Sequence, residues 1–132
     1  MGKGSDAENE LVNYAWDRGY STLRSPGSGS VDRPSPDVII IDSRGSIVAT
    51  ELKSTSDGTG YYDSHEIREL NEWTERAGGK AYAGVKPDMR SHDQWYFIPI
   101  DELHSTDSGN FSIRKSDWDN ALSREEILPQ PE

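Results

Sequence analysis

The stretch PDVIIIDSRGSIVATELKS, Pro36 to Ser54, decides the fold. Two runs rich in Val and Ile, Asp37–Asp42 and Ser46–Lys53, flank Ser43-Arg44-Gly45. Such runs bounded by turn residues form strands. A three-residue loop with glycine last supplies the left-handed position of a bulged hairpin turn. With Arg44 at the loop centre, residue 42 faces 46 and residue 37 faces 51. Asp37 and Glu51 then lie opposite each other at the open end, where cross-strand Cβ atoms are about 5 Å apart. Alternation along a strand puts Lys53 on the side of Glu51, while Leu52 points into the core and leaves its carbonyl beside the carboxylates. The run Val38–Ile41 is apolar on both faces, which implies a covered sheet with these charges at its rim.

Two carboxylates and a carbonyl suit a hard divalent cation: Mg²⁺, with Mn²⁺ as a substitute. Lys53 beside them can orient or deprotonate a water, or neutralise a phosphate oxygen. This is equipment for phosphodiester hydrolysis. Taken singly, each is more often a surface residue than a catalytic one, Asp37 as a strand start and Glu51 with Lys53 as an exposed ion pair. The combination at the rim of a covered sheet is what points to a site.

Outward from the hairpin, GSDAENELVNYAWDRGY reads as a helix. Ser5 is its expected N-cap, Glu8 completes a capping box, Leu11, Val12, Ala15 and Trp16 form the apolar stripe, and Gly19 stops it. YSTLR is a short strand. SPGSGSVDRPSP is a loop by its prolines, glycines and serines, without the Gly-Lys-Ser/Thr ending of a phosphate-binding loop. YDSHEIRELNEWTERAGG is an amphipathic helix with Ile67, Leu70 and Trp73 or Thr74 inward. Glu66, Glu69, Glu72 and Glu75 make its acidic outer face, and Gly78-Gly79 ends it. KAYAGVK and QWYFIPI are further strands, with Trp95-Tyr96-Phe97 assigned to core strand and dimer surface. The tail is weaker, with a short strand at Phe111–Ile113 and a short helix near Ser123–Leu128. The expected fold is α/β, a mixed central β-sheet flanked by helices. One domain spans residues 1–132, with a core at about 4–104 and an extension at 105–132.

The chain has no cysteine, which removes disulfides, Cys-based zinc sites and thiol nucleophiles. Its three histidines, His65, His92 and His104, lack zinc-site spacing; His65 reads as a surface residue. No apolar run approaches membrane-span length and the start lacks a leader's apolar region, so a soluble cytoplasmic protein without membrane contact is expected. Fourteen basic against 24 acidic residues give a net charge of −10. Such acidity fits a surface adapted to very high salt, where carboxylates hold hydration water and screening cancels their repulsion. Charge alone argues against a nucleic-acid partner.

The pattern "PD", hairpin, "ELK" resembles the PD-(D/E)xK nuclease core, with Asp37, Glu51 and Lys53 as its three residues. KGSDAENELVNYAWDRGYSTLRSPGSGS, GGKAYAGVK, WYFIPIDEL and TDSGNF resemble the archaeal Holliday-junction resolvases, over about residues 3–128. The resemblance implies a restriction-endonuclease-like core and a metal-dependent endonuclease. It makes Glu8 an active-site acid, either auxiliary metal ligand or water-positioning group, a role that stands beside its capping reading. It makes Ser28 the active-site serine, and Asp37, Glu51 and the Leu52 carbonyl the metal ligands beside Glu8. Lys3, Arg24, Ser28, Ser30 and Arg33 would contact DNA. The implied partners are four-way junction DNA, a second copy of the chain and other recombination proteins; paired symmetric nicks would leave 5′-phosphate ends. The chain departs from the family in its overall acidity and in SVDRPSP, where a basic loop is usual. In multimolar salt the counterion-release contribution to DNA binding is largely lost. Two alternatives stay open: a restriction-like or repair nuclease for other DNA structures, and a non-catalytic DNA-binding module on the same fold.

Overall fold

The hairpin forms in the expected register. Strand β2 (Val38–Ile41) pairs antiparallel with β3 (Ile47–Thr55), Val38 opposite Thr50 and Ile41 opposite Ile47. Asp42 organises the turn: its Oδ1 accepts the N–H groups of Arg44 at 3.0 Å and Ser46 at 2.8 Å. Gly45 takes φ +88°, a value that favours glycine. The computed structural model describes residues 3–25, 34–88 and 94–129, the side chains of residues 3–5 excepted.

Strand β3 outruns β2. Its pairing with β2 ends at Thr50, whereas its parallel pairing with β5 (Lys80–Pro87) runs on from Val48–Lys80 to Thr55–Pro87. Glu51, Leu52 and Lys53 therefore lie where one neighbour has left and the other remains, a notch in the sheet. Strand β1 (Ser21–Arg24) joins β2, and β6 (Tyr96–Pro99) joins β5 antiparallel, giving the order β1-β2-β3-β5-β6. A second sheet holds β4 (Gly60–Tyr62), β8 (Phe111–Ile113) and β7 (His104–Ser105) in that order. This is the mixed α/β sheet expected.

Helix α1 (Lys3–Asp17) covers one face of the main sheet. Ala7, Leu11 and Ala15 pack with Val38, Ile40, Val48, Leu52, Trp95 and Phe97. Helix α2 (Ser64–Ala77) covers the other, where Tyr62, Ile67, Ala83, Val85, Ile98 and Ile113 form a second core. Alternation along β3 thus sends Val48 and Leu52 toward α1, and Glu51 and Lys53 toward α2. Of the two inward candidates on α2, Thr74 is the buried one, and Gly78 closes the helix at φ +74°. No helix among the described residues is long and apolar enough to cross a membrane.

Three expectations need correction. Helix α1 begins at Lys3, so Ser5 lies inside it and is not the N-cap. Its buried stripe is 7-11-15, a strict i, i+4 row that leaves Trp16 one position off and 65% exposed. The segment near Ser123–Leu128 is a single turn, with the N–H of Ile127 on the Ser123 carbonyl at 3.2 Å. Pro129 follows at once and disfavours helical continuation. That turn still delivers Ile127 and Leu128 into the α1 core, and Leu122 exchanges backbone hydrogen bonds with Phe97 at 2.8 and 2.9 Å. A 3-10 helix, Lys115–Asn120, and the strands β4 and β7 are additions the sequence did not suggest.

Thr50 is the polar group inside the hairpin. It is fully buried and its hydroxyl donates to the Val38 carbonyl at 3.0 Å. The isosteric Thr50→Val should cost about 1 kcal/mol, read as a lower urea midpoint with an unchanged slope.

Candidate functional site

Asp37 stands just outside β2, at the notch. Its N–H donates at 2.9 Å to the carbonyl of Thr50, the residue opposite Val38, so the chain steps out of the hairpin register here as in a β-bulge. Where the ladder stops, its side chain takes over: Oδ2 accepts the Leu52 N–H at 2.8 Å. A carboxylate held by a backbone amide has a fixed orientation, which a ligand position needs.

Glu51, on β3 one residue past its last pair with β2, lies close enough for its carboxyl to interact with that of Asp37. Burial, then the negative charges of Asp37 and Glu66, push the Glu51 carboxyl from an ordinary 4.5 to about 9. Burial, with the charge of Glu8, also raises Asp37, against the lowering effect of the Leu52 amide. Two carboxyl groups at one buried point resist ionising together without a cation. Lys53 does not relieve them fully, because its ammonium is engaged elsewhere. Its Nζ lies 3.2 Å from Glu66 Oε2 and 5.7 Å from the centre of the Tyr62 ring.

Glu66 corrects the sequence reading, which put it on the outer face of α2. Its neighbours Glu69, Glu72 and Glu75 are exposed as expected, but Glu66 turns back into the site. It is the third residue of the helix and its Oε1 accepts the Asp63 N–H at 2.9 Å, one half of a capping box. Burial pushes its carboxyl up, but the Asp63 amide and the Lys53 ammonium outweigh that and hold it below its ordinary value. The Asp63-x-x-Glu66 spacing was the available signal. Tyr62 was also missed: it is fully buried and donates its hydroxyl to the Gly84 carbonyl at 2.6 Å. Burial, then the charges of Glu51, Glu66 and Asp37, raise that phenol well above its usual value.

Glu8 and Arg24 approach from α1 and β1. Arg24 Nε donates to Glu8 Oε1 at 2.7 Å, so the acid read as a helix cap is instead partnered by an arginine. Glu8 is still close enough to raise Asp37. The loop that follows β1 leaves and returns at this point: the Ser25 N–H donates to the Asp37 carbonyl at 3.0 Å, and the Ser25 and Ser35 hydroxyls meet across its stem at 2.5 Å. The candidates Ser28, Ser30 and Arg33 lie outside the described residues, as does the Lys3 side chain. His65 is exposed, as expected.

Among the described residues, no three Asp, Glu or His side chains converge as a ready-made cation site. The donor set on offer is Asp37 and Glu51 with the Leu52 carbonyl. The fit to a hard divalent cation rests on the carboxyl pair itself: partly buried, close enough to interact, and with Glu51 ionising only near 9 when no cation is present.

Comparison with known proteins agrees with this geometry. The archaeal Holliday junction resolvase (Hjc) family model matches residues 1–132. The crossover junction endodeoxyribonuclease Hjc of Sulfurisphaera tokodaii is 33% identical over 129 residues, 96% of this chain and 85% of its own. Its counterpart from Sulfolobus acidocaldarius is 35% identical over 113 residues, 83% of this chain and 74% of its own. The solved structure of Archaeoglobus fulgidus Hjc superposes with a TM-score of 0.82 at 27% identity, over 94% of this chain and 98% of that one. A bacterial homing endonuclease shares the fold alone, with a TM-score of 0.50 at 20% identity. Sequence and structure agree over nearly the full length, and the chain belongs to the archaeal Holliday junction resolvase family.

Proposed function

We propose that this chain is a Mg²⁺-dependent endodeoxyribonuclease that resolves four-way DNA junctions by paired nicks, leaving 5′-phosphate ends, with Mn²⁺ able to substitute. The observation that carries this reading is the notch at the end of β2, where Asp37, Glu51 and Lys53 meet in a chain of this family.

Asp37 and Glu51, with the Leu52 carbonyl, would hold the cation. Bound there, Mg²⁺ supplies Lewis-acid stabilisation of the scissile phosphate and favours a nucleophile at neutral pH. The chain's own part is placement and charge. Asp37 is locked by the Leu52 amide. Lys53 extends from the same strand face as Glu51, within reach of a phosphate oxygen or an attacking water. Arg24, paired with Glu8 in the DNA-free protein, has a guanidinium suited to phosphate. Transfer of Arg24 to a phosphate would release Glu8 toward Asp37. Ser28, Ser30, Lys3 and Arg33 complete the proposed DNA contacts. The whole chain acts as one nuclease domain, and a homodimer presents the two sites that symmetric nicking requires. A net charge of −10 weakens phosphate attraction at low salt, so the reading includes a cell interior rich in salt.

The test is cleavage of an end-labelled four-way junction beside a linear duplex of the same sequence. A potassium chloride series reaching molar concentrations is run with and without Mg²⁺. Paired, cation-dependent nicks on the junction alone are expected, with activity persisting at molar salt. Equal cutting of duplex would replace junction selectivity with a general nuclease. Binding without cutting at every salt would leave a non-catalytic module.

A further inference from the structure

We infer that Glu66 is a positioning residue for strand cleavage, holding the Lys53 ammonium in place and tying the start of helix α2 to the chemistry. The inference rests on the nuclease reading of the site and adds a residue to it.

Lys53 has a long side chain on the part of β3 that β2 no longer covers, and an unheld lysine there would sample many rotamers. It is held from two directions. Glu66 uses both carboxylate oxygens: Oε1 accepts the Asp63 N–H at 2.9 Å and Oε2 meets Lys53 Nζ at 3.2 Å. The helix backbone therefore fixes the carboxylate, and the carboxylate fixes the ammonium. The Tyr62 ring lies 5.7 Å from the same ammonium, pinned through its hydroxyl to Gly84. The helix start is anchored in turn, the Ser64 N–H donating to Asn110 Oδ1 at 2.9 Å. Glu69, Glu72 and Glu75, on the same helix, face solvent.

The plainer role for Glu66 is the helix cap alone, and a glutamine separates the two. Gln keeps one carbonyl oxygen for the Asp63 N–H but has none left for Lys53. Glu66→Gln should therefore leave junction affinity unchanged and lower the melting temperature only by about the few degrees that the Lys53 contact is worth. It should lower the single-turnover cutting rate at saturating junction by about 10- to 100-fold, the scale of a misplaced reactive group. Glu69→Gln serves as the exposed control and should cut at the wild-type rate. A melting-temperature cycle with Lys53→Met, Glu66→Gln and the double variant reads the contact without any need for cleavage. The double variant should be about 2 °C or more above additivity at low salt. An additive cycle, or wild-type cutting by Glu66→Gln, overturns the inference. A wild-type protein that leaves the junction intact overturns the nuclease reading instead, and the melting cycle still decides whether Glu66 holds Lys53.

Discussion

Asp37→Asn and Glu51→Gln should each abolish junction cutting, by about 10³-fold or more, while junction binding stays equal or tightens. Both replacements keep the shape of the site. The asparagine of the first variant retains an oxygen for the Leu52 N–H, the bond that Asp37 makes at 2.8 Å, so the notch should persist. The glutamine of the second is a neutral stand-in for a carboxyl that ionises only near 9 without a cation, so the fold should hardly register the change. Each removes one of the two acidic ligands a divalent cation requires, and the asparagine also takes an ionisable acid from a chain whose formal charge is already −10. The loss of a ligand stops the chemistry. At Asp37 the loss of charge also lessens repulsion of phosphates, whereas at Glu51, already protonated at neutral pH without a cation, binding should stay equal. The measurements are single-turnover cleavage and gel-shift titration of the same labelled junction, the latter without metal. Cutting near the wild-type rate by either variant would mean that the ligands have been misassigned. A parallel loss of binding would mean that the carboxylates hold DNA, not the cation.

The site was legible in the sequence to the extent that it is local. Turn chemistry at Ser43-Arg44-Gly45 and strict alternation set the register of the hairpin, which the observed pairs Val38–Thr50 and Ile41–Ile47 follow. The pairing of residue 37 with 51 expected from it does not form, because the Asp37 N–H turns to Thr50, yet the two carboxyls still meet. Lys53 followed by period two. The rest depends on contacts between distant segments. Glu66 was read from helical periodicity as one more outer glutamate, but the backbone at the helix start pulls its side chain back, and β3 puts Lys53 within its reach. Tyr62 was hidden because β4 follows a glycine-rich turn and finds its partner, β8, only some 50 residues later in the chain. Glu8 shows a local signal overridden: a Ser-x-x-Glu spacing lies inside the helix, and the acid is taken by Arg24 on the neighbouring strand. In the tail, Ile127 and Leu128 serve the α1 core from a turn too short to show periodicity.

Binding of Mg²⁺ to the metal-free protein at neutral pH should release close to one proton, and its apparent affinity should rise about tenfold per pH unit up to about pH 9. The cause is the Glu51 carboxyl, pushed to about 9 by burial and by the charges of Asp37 and Glu66. A cation held by Asp37 and Glu51 needs both ionised, so below that value it must displace a proton. The same shift fixes the sign of the stability change. Glu51 binds its proton more tightly folded than unfolded, where its ordinary value is 4.5. Its contribution to stability is therefore fully present below about 4.5 and is lost as pH rises through about 9. The metal-free protein should melt at progressively lower temperature across that window, and saturating Mg²⁺ should remove most of the decline, because the cation favours the ionised pair. Calorimetric titration at one pH in two buffers of different ionisation heat counts the protons released. In Glu51→Gln there is no carboxyl proton to displace, and the count should fall to near zero along with much of the affinity. A wild-type titration that releases no proton would place the cation away from Glu51, and would leave Asp37 and Lys53 to be explained by the hairpin alone.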